Sequence, residues 1–351
     1  MRTKLNQIGT FGAVSKNAAF ICLFTLLFAI AVASENFVFG TAVVHLSAKA
    51  TSADIQKALD TLPEIGGEVV LAAGRYEIQQ PVVLRRDHQT LRGAGAATVL
   101  WLVDNANCPV VIMGEPVNHP QKPLANLHVK DLAIDGNRRH QQRELWREQG
   151  EGSEIRNNGI TIQSVSDSSV ERVITSSCRS GGVVTTLGVR RLTVRSLEAF
   201  DNEFDGLACY LTTESLFTDL YLHDNPGAGI SLDLAFNNNV ISKAVLARND
   251  LGIFMRASRE NIFYDVSIRN SGHYGVFMAH AEEYETGVAR PAPQTECVRN
   301  AFTNLVAINC GSAAFRVNNS TCTDNVIIRP SFDKNHRGGL SLAQPDLVTV
   351  R

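Results

Sequence analysis

Tyr210, Asp233 and Arg256 follow one another at intervals of 23 residues, and His280 lies 24 residues beyond Arg256. These four side-chain types can together handle a proton next to a carboxylate. A guanidinium offers a two-pronged fork that neutralises the carboxylate. A phenol or an imidazole can take or give the proton, so Tyr210 and His280 are candidates for base and acid. Asp233, between a tyrosine and an arginine, stays ionised and orients either one. The same residues also have a plain structural use. Asp and Arg on neighbouring strands form an ordinary cross-strand ion pair, and a histidine at a strand end can cap a turn.

The interval has a cause in the chain. The pattern Gly, apolar, any, apolar, any recurs at "GITIQ", "GVVTT", "GLACY", "GISLD", "GIFMR" and "GVFMA", starting at Gly159, Gly182, Gly206, Gly229, Gly252 and Gly275. A degenerate copy, "AFRVN", starts at Ala314. Each unit holds short alternating strands between Asn-, Asp- and Gly-rich corners and is too short to bury its own apolar face, so copies must stack. The pattern predicts an all-β fold, a right-handed parallel β-helix whose regular coils of about 23 residues run from 159 to 340. Asn202, Asn225, Asn249 and Asn270 recur near one corner, where side-chain amides can bond along the axis.

Stacking aligns the side chains. Residues second and fourth after each Gly point outward. The fourth-position column reads Gln163, Thr185, Tyr210, Asp233, Arg256, Ala279 and Asn318, with His280 next to Ala279. The second reads Thr161, Val184, Ala208, Ser231, Phe254, Phe277 and Arg316. At about 4.8 Å per coil, Tyr210 to Arg256 spans about 10 Å, comparable to two sugar rings. Phe254 and Phe277 need a cover, which a sugar face or the neighbouring insertion can supply. Asn318 extends the same surface.

Two insertions adjoin this strand, 136–158 before it and 282–299 after it, as walls of a groove. Arg138, Arg139, His140, Arg143 and Arg147 make the first one basic, which suits an acidic polymer and makes Arg138 and Arg143 candidate binding residues. A solvated charged flap is the alternative.

Before the coils, "TSADIQKALDTL" places Ile55, Ala58, Leu59 and Leu62 on one helical face, with Thr51 or Ser52 as N-cap. A helix over 51–63 there would cover the open first coil. Further upstream, Arg2, Lys4 and Lys16 precede an apolar run from Ala18 to Val32 that ends in Ala31-Val32-Ala33. That describes a cleavable secretory signal over 1–33, leaving a single domain over 34–351 that is secreted or periplasmic and not held in a membrane. The formal charge of −2, with no basic block, argues against non-specific nucleic-acid binding. Six cysteines follow the signal; Cys209 reads as core, and Cys297 can approach Cys322 on an adjacent turn. No Cys/His pattern and no compact acidic cluster calls for a metal.

The stretch "ADIQKALDTLPEIGGEVVLAAGRYEIQQPVVLRRDHQTLRGAGAATVL" resembles the entrance of pectate-lyase-like β-helix proteins, and with the coils the similarity covers most of the mature chain. That superfamily holds polysaccharide lyases, glycoside hydrolases, mannuronan C5-epimerases, phage tailspikes and non-catalytic modules. The resemblance implies a polysaccharide partner, and for many such lyases calcium. In the epimerases the corresponding strand carries an Asp-Pro-His-Asp/Glu motif; here it reads "DGLACYL". The resemblance therefore points to the face and transfers no single residue. Three readings follow. The first is a lyase or C5-epimerase acting on uronic acids of an anionic polysaccharide. The second is a glycoside hydrolase, which needs two carboxylates about 5–9.5 Å apart; Asp233 has only Asp205 and Asp224 at nearby corners, and the adjacent Asp-Asp and Gly-His-Gly motifs of polygalacturonases are absent. The third is a non-catalytic binding or export scaffold.

Overall fold

A computed structural model describes residues 42–144, 155–281 and 294–351. The expected signal over 1–33 lies outside the described residues. Arg147 and most of the 282–299 insertion lie outside them as well. Among the described residues, no helix is long and apolar enough to cross a membrane.

Ala42–Arg351 is a parallel β-helix built of fifteen-, ten- and six-stranded sheets. Every glycine of the sequence repeat opens a strand of the ten-stranded sheet, such as Leu207–Tyr210, Ala228–Asp233, Leu251–Arg256 and Val276–Ala279. A two-residue strand follows, for instance Phe236–Asn237, and then an eight-residue strand such as Val240–Ala247 in the largest sheet. The eight-residue strands bend in the middle at one left-handed residue. Asp219, Lys243 and Asp265 hold φ of 56°, 49° and 55° there. Polar side chains at these corners face solvent, where a left-handed residue is tolerated singly. The glycine that opens each coil answers a close approach: a Cβ on Gly229 would stand 2.8 Å from Asn249 Nδ2.

Alternation fills the lumen. Ile230, Leu232, Ile253, Met255, Val276 and Met278 are fully buried, and Phe263 stacks on Phe302 with ring centres 4.4 Å apart. Two amide ladders lie at the corners of this core, bonding from coil to coil and satisfying buried backbone groups that no strand pairs. In one, Asn202 bonds to Asn225 and Asn225 to Asn249. The other, unforeseen in the sequence, runs Asn239, Asn261, Asn300, Asn325. Asn270 leaves the expected ladder. The register pairs Ala247 with Arg269, one residue short of the usual interval, so the buried Ser271 takes that place and Asn270 becomes an exposed left-handed corner.

The helix forms over Ser52–Thr61, with Thr51 and Asp54 in a reciprocal capping box and Ile55 and Leu59 fully buried. Gln56 completes the cover. Its side-chain amide donates to Val83 O at 3.1 Å and accepts Val83 N–H at 2.8 Å, replacing a neighbouring peptide beside the edge strand Val82–Leu84. Cys209 is buried as expected. Cys297 and Cys322 do come together across adjacent coils, as two buried free thiols and not as a disulfide.

Candidate functional site

Strand pairing fixes which outward side chains are neighbours. Ala208 pairs with Ser231, Ser231 with Phe254, Phe254 with Phe277, and Phe277 with Arg316, as the repeat predicts. In the other column Tyr210 pairs with Asp233 and Arg256 with Ala279. One member moves. Gln163 pairs with Thr186, while Thr185 turns inward and shares a 2.6 Å hydrogen bond with Thr212. Thr186, not Thr185, is the fourth residue after Gly182, so Thr186 belongs in the column, and Thr185, the third, faces the lumen with the other odd positions.

Asp233 and Arg256 form the closest association on this face. Arg256 Nε donates to Asp233 Oδ2 at 3.0 Å and Arg256 Nη2 donates to the same oxygen, while Asp233 Oδ1 accepts the Leu234 N–H at 2.7 Å. The carboxylate is 2% exposed and the guanidinium 28%, so the acid is buried beneath the base it orients. The Arg256 guanidinium carbon lies 5.1 Å from the Phe254 ring centre, and Phe254 stacks on Phe277 at 5.9 Å with planes 8° apart. Phe277 in turn leans on Tyr274. The aromatic column therefore holds Arg256 from the side while Asp233 holds it from below.

Tyr210 is half-buried at the end of its strand. Burial pushes its phenol up to about 12; Arg156 opposes this, Asp205 and Asp233 add to it, and Arg256 again opposes it. Asp205, at the other end of the same turn, is pushed up to about 6 by burial, against the N–H of Ala228 that it accepts at 2.7 Å and against the charge of Arg156. Arg156, Asp205, Tyr210, Asp233 and Arg256 thus act on one another as a single electrostatic group. Arg156 escaped notice in the sequence because it is the last arginine of an irregular insertion, outside any column. Asp205 was visible only as a corner residue, since period alone does not report burial.

The remaining candidates lie elsewhere. His280 stands one coil beyond Arg256 and three beyond Tyr210, about 14 Å along the axis. Its backbone N–H is held by Asn319, and its ring has no hydrogen bond among the described residues. The structure therefore does not bring His280 and Tyr210 to one point. Asn318 is exposed and accepts from Arg316 at 3.2 Å. Arg138 is drawn away: it pairs with Asp201 at 2.6 Å and Glu203 at 3.5 Å, at the corner preceding the site strands. Arg143 is exposed, with its backbone N–H on Asn107 Oδ1 at 2.9 Å. Gln294, where the second insertion returns, donates to Ala257 O at 2.6 Å and Asn237 Oδ1 at 2.8 Å. Among the described residues, no group of three or more His, Cys, Asp or Glu side chains could hold a metal.

The family model for a right-handed β-helix region matches residues 147–250, which hold Tyr210 and Asp233. The fold is similar to the A-module of a mannuronan C-5 epimerase from Azotobacter vinelandii, at 17% identity over 86% of this chain and 95% of that one, with a TM-score of 0.55. It is similar to an alginate lyase from a Paenibacillus species, at 11% identity over 88% and 99% of the two chains, TM-score 0.57. An exopolygalacturonase of Yersinia enterocolitica has 11% identity over 89% of this chain and 78% of that one, TM-score 0.54. Comparison of the sequence with curated proteins finds no match.

Proposed function

We propose that this chain, a right-handed β-helix of the pectate-lyase-like kind, acts on uronic-acid residues of an anionic polysaccharide outside the cytoplasm, as a lyase or C5-epimerase. The observation that carries this reading is the placement of Tyr210 beside the buried Asp233–Arg256 pair, with Arg156 and Asp205 acting on the same phenol. The similar folds of an epimerase and an alginate lyase support it.

Arg256, held rigid from two sides, and Arg156 neutralise the sugar carboxylate and so acidify the proton on the α-carbon. Asp205, raised to about 6, is the base poised near neutral pH that takes this proton. Tyr210, raised to about 12, stays protonated there and serves as the acid. In the lyase reaction the electron pair left on the α-carbon forms a double bond to the β-carbon. The β-carbon–oxygen bond breaks, and the leaving oxygen takes the tyrosine proton. In the epimerase reaction the same carbanion is reprotonated by Tyr210 from the opposite face. Asp233 is a positioning residue for Arg256, and His280, Phe254, Phe277 and Asn318 contact sugars further along the column.

One observation favours a hydrolase as the second reading: Asp205 and Asp233 are two carboxylates in unlike environments, one raised by burial and one held by arginine. Incubation with alginate, pectate and glycosaminoglycan panels separates the readings. The proposal expects ultraviolet-absorbing unsaturated ends, or changed uronate stereochemistry by NMR. New reducing ends without unsaturation make it a hydrolase, and no change on any polymer removes the catalytic reading.

A further inference from the structure

The column that carries Tyr210 is closed at one end. Two coils before Tyr210, Gln163 occupies the equivalent outward position, yet it is 0% exposed. Its amide nitrogen donates to Glu115 O and, at 2.8 Å, to Val117 O, so the loop at 115–117 lies directly on the column. The loop leaves its strand at Gly114, where φ is +123° and a Cβ would stand 2.3 Å from Gln163 O, which requires glycine. It is braced from within. Glu115 Oε2 accepts the N–H groups of Gln121 at 2.6 Å and Lys122 at 3.0 Å, and these bonds hold its carboxyl below the usual range. Asn118 Oδ1 accepts the Ile155 N–H at 3.3 Å, which joins this wall to the segment carrying Arg156. The second column is covered at the same end: Thr161 is 0% exposed and accepts from Asn158 Nδ2 at 3.0 Å.

No loop among the described residues is hydrogen-bonded over the column in the other direction as 115–117 is over Gln163. Tyr210 is half-buried, Asp233 lies under Arg256, which is 28% exposed, the small Ala279 is buried, and Asn318 is open. From the wall at Gln163 to Tyr210 is about 10 Å, room for about two sugar rings. The geometry points to a groove with a blind end: loop 114–122 is a stop against which one chain terminus lodges, and the rest of the polymer runs from Tyr210 toward Asn318. The protein then engages polyuronates at one end of the chain and releases monomer- or dimer-sized units, or modifies only the terminal residues. This rests on the uronate reading of the site, and adds which part of the polymer is recognised.

Light scattering after size exclusion tests it with oligomannuronate and oligogalacturonate, each at two lengths differing several-fold. One protein bound per chain at both lengths is the expected result, so the protein bound per sugar falls in proportion to length. A folded variant with residues 116–120 replaced by two glycines is expected to bind several copies per long chain, and Gln163→Ala, a milder opening of the wall, to bind more than one. Binding by the unaltered protein that rises in proportion to length overturns the blind end and leaves the uronate reading standing. Absence of binding to both polymers at both lengths overturns the uronate reading itself.

Discussion

Two aspartate–arginine pairs join neighbouring coils and differ in everything but their chemistry. Asp224 and Arg248 meet at 2.6 Å at a left-handed corner, 43% and 49% exposed. Asp233 and Arg256 meet on the flat face of the next sheet, 2% and 28% exposed. The corner pair sits where the chain turns and water screens it. The face pair is flanked by Phe254 beside Arg256 and by Tyr210 in the adjoining strand. An acid and a base one coil apart are therefore an ordinary product of the repeat. What sets the face pair apart is the burial of its acid beneath a guanidinium that is still partly open to solvent.

The comparison yields graded expectations. Asp233→Ala strips the partner from a largely buried arginine and should cost about 3 kcal/mol in urea unfolding. Asn249→Ala, which removes one rung of a buried ladder, should cost about 2 kcal/mol. Arg248→Ala at the corner should cost less than about 1 kcal/mol. Equal losses at Asp233 and Arg248 would erase the distinction between face and corner.

The two regions should also respond to pH with opposite sign. Arg248, with His223 assisting, holds the Asp224 carboxyl at about 2, so its contribution is present above the unfolded value near 4 and fades as pH falls toward 2. Asp205 is raised to about 6, so the folded state binds the extra proton and this contribution fades as pH rises from about 4 to 6. Asp205→Asn should remove that decline from a stability–pH curve and, by taking away the base, abolish turnover, whereas Asp224→Asn should leave turnover and its acidic limb in place.

Much of this was legible in the chain. The glycine interval set the sheet, the second-position column from Thr161 to Arg316 was read in true register, and Tyr210, Asp233 and Arg256 fell on consecutive coils. The period misleads where a coil changes length, as Asn270 shows. Arg156 and the Gln163 wall were hidden for another reason. Loops reach a site by tertiary contact, and no period in the sequence encodes where an irregular segment comes to lie. Arg138 shows the converse, since its charge invited a substrate role while Asp201 and Glu203 already hold it.

Turnover by Tyr210→Phe on whichever polyuronate responds is the most direct test of the central claim. The change removes one hydroxyl from a half-buried ring and should leave unfolding unaltered. The account predicts a fall in kcat of at least about 100-fold with KM little changed, the loss of a proton donor. An undiminished kcat in Tyr210→Phe would show that the chemistry happens elsewhere on the β-helix.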